Sequence, residues 1–80
     1  MAFDLFQDVI LTRDVPQQGL CAGDVGTVVE RHVVPGEEDG YSVEFFDMTG
    51  RTISIAVLRG SDLRAPNAAD IPAVRLRKTG

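Results

Sequence analysis

The sequence predicts an all-β fold, a small five-stranded barrel with a 3-10 turn before the last strand. Short runs rich in β-branched and aromatic residues follow one another along the chain, and turns rich in glycine or acidic residues separate them. No run of apolar residues at helical spacing stands out, except near Phe3 and Phe6, which predict one turn at most. A chain of 80 residues forms one domain with a thin core, which suits such a barrel.

The first half of the chain predicts two strands on either side of a long loop. Residues 8–12 form a short apolar run, and residues 26–34 are rich in β-branched side chains. The loop between them spans residues 13–24, which is long for a connection in so small a fold. Residues 35–40 combine proline and glycine with three consecutive acids, which is typical of a solvated hairpin loop. The apolar residues of the long loop are expected at the surface: Val15, Pro16 and Leu20.

A third strand follows the hairpin loop. In residues 41–46, alternation places Tyr41, Val43 and Phe45 on one face of the strand. Phe45 and Phe46 are adjacent, so their side chains must point in opposite directions. Which face of this strand is buried therefore stays open.

A tight turn and a fourth strand come next. Residues 47–50 end on a glycine, the residue for which a positive φ costs least. Residues 51–58 resume the alternation, with Ile53, Ile55 and Val57 on one face and smaller residues on the other. This pattern predicts a strand with one strongly apolar face.

A 3-10 turn and a short last strand complete the predicted domain. Residues 60–63 predict the turn, which brings Leu63 into the core, and Pro66 ends the strand that follows. This order of elements is the plan of an SH3-like barrel, in which closure protects the sheet edges. An open four-stranded meander that hides its second face in a dimer is the alternative. We assign residues 1–66 to the barrel domain and residues 67–80 to a loose C-terminal tail. Three apolar tail residues could instead dock on the barrel or on a partner: Ile71, Val74 and Leu76.

Charge is unevenly distributed along the chain. Residues 1–63 contain eleven acids and four arginines, whereas residues 64–80 contain four cations and one acid. An acidic body repels phosphate backbones, which disfavours nucleic-acid binding by the barrel itself. The basic tail would either reach an anionic partner or remain solvated.

Composition predicts a cytoplasmic protein that does not enter the membrane. No apolar run approaches the roughly 20 residues that a membrane helix needs. Acidic residues occupy the start of the chain, where a secretory signal carries Lys or Arg. Cys21 is the single cysteine, so an internal disulfide is excluded, and a free thiol fits a reducing compartment.

Three stretches together resemble a known family of short bacterial proteins. They are residues 8–12, residues 19–30 with the sequence GLCAGDVGTVVE, and residues 41–52 with the sequence YSVEFFDMTGRT. This joint pattern, within residues 5–66, resembles the domain of unknown function family DUF4926. The resemblance implies an SH3-like barrel without an established activity, and it supplies no catalytic residues. The tail lies outside the pattern.

A shorter segment, residues 23–28, is similar to the glycine-rich turn and strand of KOW-type and other small SH3-like barrels. Some of those barrels bind RNA and some bind protein. We expect a structural role here, because Gly23 and Gly26 would take backbone angles that a side chain blocks. Asp24 would bond back to the amides of the turn. The predicted structural turn residues are Gly19, Gly23, Asp24, Gly26 and Gly50.

No residue pattern predicts catalysis, a cofactor or a metal site, so we expect no enzyme activity. The glycines of the long loop lack the lysine and the following helix of a phosphate-binding loop. His32 is the only histidine, and a closed zinc site normally takes about four side chains. The acids of residues 37–39 are consecutive, unlike the spaced ligands of a calcium loop. A barrel of this size also offers little volume for a substrate pocket.

Binding to a protein partner is the function that the sequence favours. Long loops are often functional, and an acidic, partly apolar surface suits a basic partner. The predicted contacts lie in the two long loops: Asp14, Gln17, Gln18, Leu20, Glu37, Glu38 and Asp39. The alternative is a KOW-like RNA-binding barrel that uses basic residues: Arg51, Arg59, Arg64, Arg75, Arg77 and Lys78. A homodimer is a further hypothesis, since the apolar residues would not all fit inside one small barrel.

Overall fold

The computed structural model describes residues 2–77 and confirms the all-β class, since five strands and short 3-10 turns make up its regular structure. The strands are β1 (Asp8–Leu11), β2 (Val25–His32), β3 (Gly40–Phe46), β4 (Thr52–Arg59) and β5 (Leu63–Arg64). One 3-10 turn, Pro16–Gln18, lies in the long loop, and the second, Gly60–Asp62, precedes β5. The order of elements is the predicted one. The second strand is shorter than predicted, because it ends at His32 and leaves Val33 and Val34 exposed beyond it.

The five strands form one antiparallel sheet in the order β4-β3-β2-β1-β5, which curls into a half-barrel. The register leaves one extra residue in β2, Val29, and one in β4, Ile53, and these two bulges increase the bend of the sheet. The sheet does not close on itself by hydrogen bonds within residues 2–77. Instead β4 and β5 are the outer strands, and each has one hydrogen-bonded neighbour.

The inward face of β3 forms the centre of the core. Tyr41, Val43 and Phe45 are at most 2% exposed, whereas Phe46 is 42% exposed, which answers the question that the sequence left open. The ring of Phe3 packs edge-on against Tyr41 with centroids 5.4 Å apart. The backbone N–H of Phe3 also donates a hydrogen bond to the Tyr41 hydroxyl at 3.1 Å. The N-terminal segment is thereby fastened to the core.

Strand β4 turns its most apolar face outward. Its buried residues are Ala56 and Leu58, which pair with core residues of β3. Ile55 and Val57 lie on the opposite face and are 54% and 72% exposed. A residue takes the face of its cross-strand partner, so the register with β3 decides which set is buried. The strand alternates as the sequence predicts, but the face that carries Ile55 and Val57 lies outside the core.

The long loop folds onto the barrel rather than into solvent. Val15 and Leu20 belong to the core cluster, so the prediction that they lie at the surface is wrong. Their backbones exchange two hydrogen bonds, of 2.9 and 3.1 Å, around the 3-10 turn Pro16–Gln18. A thin core recruits apolar side chains from loops because the short strands supply few of them.

Two glycines are needed for different physical reasons. Gly50 ends the β3–β4 turn with φ at 86°, as the turn pattern predicts. Gly26 has no positive φ, so the prediction of a special backbone angle there is wrong. A Cβ at Gly26 would lie 2.5 Å from Cγ1 of Val43 and 3.0 Å from the carbonyl oxygen of Glu44. Gly26 is therefore required by the close approach of β2 and β3.

Candidate functional site

The acidic loop, residues 35–40, keeps one carboxylate without an internal partner. Asp39 accepts two hydrogen bonds from the guanidinium of Arg31, at 2.6 and 2.9 Å. Glu38 accepts a hydrogen bond of 2.8 Å from a serine hydroxyl of the second 3-10 turn. Glu37 is exposed, and its side chain has no hydrogen bond or ion pair within residues 2–77. The loop is thus held at its C-terminal end and presents Glu37 to solvent.

An open groove of about 790 Å³ runs between the acidic loop and the start of β5. We call it the acidic groove; its lining includes Ala2, Glu37, Glu38, Leu63, Ala65 and Asn67. Carboxylates lie on one side of it. The other side carries apolar side chains and Arg64, whose guanidinium is paired with Asp70 at 2.7 Å. Such a surface suits an extended segment better than an enclosed small molecule, because its walls leave the occupant open to water.

Asp62 ties the long loop to the end of β4. Its side chain is only 5% exposed and accepts a hydrogen bond of 2.9 Å from Arg13. It also accepts the backbone N–H of Arg59 at 3.1 Å and lies 3.3 Å from the Arg59 guanidinium. Burial raises the pKa of the Asp62 carboxyl, but the hydrogen bonds from the two arginines outweigh burial and hold that pKa below its usual range. The cluster is fully bonded and serves the fold.

Most of the predicted contacts in the long loop are used inside the molecule. Asp14 accepts a hydrogen bond of 2.8 Å from a backbone N–H within the same loop. The Gln18 amide donates to the Ser54 hydroxyl at 2.8 Å and to the Ile55 carbonyl at 3.2 Å. Leu20 is 2% exposed, so its prediction as a partner contact is wrong. Of the seven predicted contacts, two are exposed and form no side-chain bond within the described part of the chain: Gln17 and Glu37.

Three of the six basic residues of the RNA-binding alternative are paired with acids: Arg59, Arg64 and Arg75. A guanidinium nitrogen of Arg64 lies 2.7 Å from Asp70, and one of Arg75 lies 2.6 Å from Asp24. The Arg64 hydrogen bond lowers the pKa of Asp70 to about 2. Paired cations offer less charge to a phosphate backbone. Of the other predicted contacts, Arg59 joins the Asp62 cluster, Arg51 and Arg77 have no ion pair within residues 2–77, and Lys78 lies outside the described residues.

Strand β4 carries an apolar surface to which the sequence analysis assigned no function. We call the outward side chains Ile53, Ile55 and Val57 the β4 edge surface. Ile53 is half-buried, and the other two are mostly exposed. The strand pairs with β3 on one side and has no strand neighbour on the other side within residues 2–77. The alternation in the sequence was the available signal, but only the register with β3 shows that this face is outside.

Comparison with protein families identifies the family to which the chain belongs. The model of the family described as Domain of unknown function (DUF4926) matches residues 5–65. The chain belongs to this family. The match spans all five strands and stops at the start of the tail. No curated protein and no solved structure matches the chain. Residue roles in this DUF4926 chain therefore rest on its own geometry.

The described part of the DUF4926 chain contains neither a metal-binding cluster nor a membrane-spanning helix. Within the described residues, no group of three or more His, Cys, Asp and Glu side chains is arranged to hold a metal ion. None of the helical segments between residues 2 and 77 is long and apolar enough to cross a membrane.

The tail of the DUF4926 chain is held to the long loop at one residue. Arg75 donates hydrogen bonds to both carboxylate oxygens of Asp24 and to the Gly19 carbonyl, at 2.6 to 3.0 Å. Burial raises the pKa of Asp24, but the hydrogen bonds from Arg75 and from the Cys21 backbone outweigh it and lower that pKa overall. The apolar tail residues are exposed, so two arginines hold the tail: Arg64 binds Asp70 near its start, and Arg75 fastens the part beyond Asp70.

We expect Arg75→Ala to release the tail while changing the free energy of unfolding by less than about 1 kcal/mol, since the pair is partly solvated. The heteronuclear NOE of backbone amides in residues 71–77 should fall, whereas residues 67–70 stay held by the Arg64–Asp70 pair; Arg77→Ala should leave both unchanged. Because the folded-state pKa of Asp24 is lowered, the contact should persist above pH 4 and weaken as the pH falls below about 3.9. Equal amide dynamics in both variants would show that Arg75 does not anchor the tail.

Proposed function

We propose that this DUF4926 chain is a non-enzymatic interaction module that binds a basic protein partner, as a small accessory or neutralising subunit. The observation that carries the proposal is the acidic groove. It combines the free carboxylate of Glu37 with the adjacent Glu38 on the lip of an open surface. Charge complementarity of this kind steers a basic partner and sets its orientation.

The shape of the acidic groove supports an extended basic segment as the ligand. Ala2 and Ala65 leave room for backbone to approach, and Asn67 supplies a polar side chain on the β5 side. A Lys or Arg of the partner would meet Glu37, which has no internal bond within residues 2–77 to break. The aliphatic part of that Lys or Arg side chain would cover the small apolar side chains of the groove.

Charge pairing makes RNA a weaker candidate than a protein. Eleven acids lie in residues 1–63, and the cations proposed for RNA contact already bind carboxylates at three places in the fold. An RNA would have to displace those carboxylates before it gained a phosphate contact at Arg59, Arg64 or Arg75. A basic protein segment needs no such rearrangement at the acidic groove.

The proposal is tested by affinity capture with a matched pair of charge reversals. Tagged chain would be incubated with nuclease-treated host lysate, and the recovered protein would then be purified for titration. Glu37→Lys should weaken its binding about fivefold, which is the size expected for an exposed charge at an interface. Glu30→Lys is the control, because Glu30 is equally charged and exposed but lies on the outer face of β2.

Two results would overturn the proposal. One is equal binding by the Glu37→Lys and Glu30→Lys variants, which would move the partner away from the acidic groove. The other is recovery of RNA alone from untreated lysate, with binding that falls steeply as salt rises, which would favour the KOW-like alternative.

A further inference from the structure

The outer strand β5 has a free edge inside the acidic groove. Its other edge pairs with β1, where Ile10 lies opposite Arg64 and Leu11 lies opposite Leu63. On the free side, Leu63 and Ala65 line the groove together with the acidic loop. A strand edge with unpaired backbone groups is a template on which another extended chain can form hydrogen bonds.

The hydrogen bonds of β1 show which backbone groups of β5 face the groove. The N–H and the carbonyl of Leu11 bond to Asp24 and Gly23, on the β2 side, so neither is available to Leu63. Backbone direction alternates along an antiparallel pair, so Leu63 turns its own N–H and carbonyl away from β1. The Leu63 N–H donates to the carbonyl of Gly60 in the 3-10 turn, whereas the Leu63 carbonyl has no partner within residues 2–77.

Ala65 continues this edge two residues further along. Pro66 follows it, and a residue before proline is restricted to extended backbone, so the direction of the strand persists to Ala65. The Ala65 N–H has no acceptor within the described residues, and the Ala65 carbonyl accepts only a 3.4 Å contact from the Arg64 guanidinium. The edge therefore offers one acceptor, the Leu63 carbonyl, and one donor, the Ala65 N–H, on the same side of an extended chain.

We propose that the acidic groove binds its ligand as an added β-strand, in which an extended basic segment of a partner protein pairs with the free edge of β5. The backbone of the segment donates to the Leu63 carbonyl and accepts from the Ala65 N–H. A Lys or Arg side chain of the segment reaches the Glu37 carboxylate. In this mode of recognition backbone pairing supplies affinity, and side-chain contacts supply selectivity. The inference rests on the proposed function, to which it adds the binding mode.

Charge on the wall opposite β5 selects a basic segment as the occupant. Glu37 is exposed, and its side chain has no bond within residues 2–77. Glu38 already accepts a serine hydroxyl and lies 3.9 Å from the Arg59 guanidinium, so it contributes less. The cation of β5 itself, Arg64, is paired with Asp70 at 2.7 Å. The unpaired charge that a ligand meets in the groove is therefore negative.

The tail of the same chain leads away from this edge. It leaves β5 at Pro66 and is held at Arg75 by Asp24, whose carbonyl accepts the Leu11 N–H on the β2 side of β1. Ala2 lines the groove but forms no backbone hydrogen bond with β5. Within the described part of the chain, the edge is therefore uncovered.

Amide NMR of the isotope-labelled full chain, titrated with the capped synthetic peptide Val-Lys-Val-Lys-Val, tests the proposal. The Ala65 amide resonance should move downfield and its hydrogen exchange should slow, because that N–H gains an acceptor. The other shifts should concentrate in residues 63–65 and 37–38. The matched peptide Val-Glu-Val-Glu-Val should bind about tenfold more weakly, because attraction to Glu37 becomes repulsion.

Two pairs of variants separate backbone pairing from charge. Ala65→Pro removes the N–H donor and should weaken binding of the lysine peptide about fivefold, the size of one hydrogen bond. Ala65→Gly keeps the donor and should change that binding by less than about twofold. Glu37→Gln should weaken it about threefold, and Glu30→Gln, at an exposed carboxylate on the outer face of β2, should leave it unchanged.

The results distinguish failure of the strand pairing from failure of the proposed function. An Ala65 amide that the lysine peptide leaves unperturbed, or equal binding by Ala65→Pro and Ala65→Gly, would overturn the pairing and leave the partner capture by charge untouched. Equal binding of the lysine and glutamate peptides, with no effect of Glu37→Gln, would overturn the basic occupant and with it the proposed function. The Ala65 shift and exchange rate are measured in the natural chain, so the test does not depend on the folding of Ala65→Pro.

Discussion

The Gly26→Ala variant is expected to lose about 3 kcal/mol of unfolding free energy, through overpacking of the core. The new methyl group would lie 2.5 Å from Val43 and 3.0 Å from both the Glu44 carbonyl and the Phe45 ring. The Glu44 carbonyl belongs to the backbone of the adjacent strand, so relief requires β2 and β3 to separate. A domain of 80 residues has roughly 4–12 kcal/mol of stability in total, so the loss should be plain in urea unfolding followed by circular dichroism.

Gly40→Ala is the matched control for this prediction. Gly40 also lies in a strand and has no positive φ, but its added Cβ would approach no atom closer than 3.7 Å. That separation is ordinary van der Waals contact, so the free energy of unfolding should change by less than about 1 kcal/mol. Similar losses in the two variants would contradict the packing argument, because the added Cβ at Gly40 meets no close contact.

Asp62→Asn is expected to lower the free energy of unfolding by about 2 kcal/mol at neutral pH, since hydrogen bonds to a charged partner are the strong ones. The buried carboxylate accepts hydrogen bonds from Arg13 and from both the backbone and the side chain of Arg59. An amide retains one acceptor oxygen and brings two donors that face guanidinium groups. The junction between the long loop and the second 3-10 turn should therefore loosen.

The pH dependence of the unfolding free energy shows whether Asp62 stabilises the fold through its negative charge or only through the volume of its side chain. Its folded-state pKa is lowered, so its contribution is complete above the unfolded pKa of about 3.9 and is lost as the pH falls toward the folded value. Urea midpoints measured between pH 2.5 and 7 should fall in acid more steeply for the natural chain than for Asp62→Asn. Glu30→Gln, at an exposed carboxylate, should retain the natural slope. Parallel curves for Asp62→Asn and the natural chain would contradict this role.

The acidic groove and the β4 edge surface have different physical origins. The acidic groove exists because a charged loop is held beside β5 and the carboxylate of Glu37 forms no bond within the described residues. The β4 edge surface exists because a five-stranded half-barrel leaves its outer strand without a neighbour. Long-range charge controls the first, so raised ionic strength should weaken binding at the groove.

The candidate site could be predicted from the sequence only in part. Three consecutive acids between two strands indicated a charged loop, and Glu37 is indeed free within the described residues. The partners of the other polar residues could not be read from local patterns. Gln18 bonds to a strand 36 positions away, and Asp62 bonds to an arginine 49 positions away. Leu20 was predicted at the surface because it lies in a loop with polar residues, but its side chain packs in the core.

The sequence by itself determined the class of the fold, the order of the five strands and the β3–β4 turn with Gly50 at its end. Those features depend on β propensity, alternation and turn chemistry, which act within a few residues. Only the tertiary structure decided which face of each strand is buried, because alternation of period two is unchanged when the strand is turned over. Ala56, opposite the core face of β3, is inside, and Ile55 and Val57 are consequently outside. The alternation of β4 could be read from the sequence, but that its apolar side chains lie outside the core could not be read until β4 was paired with β3.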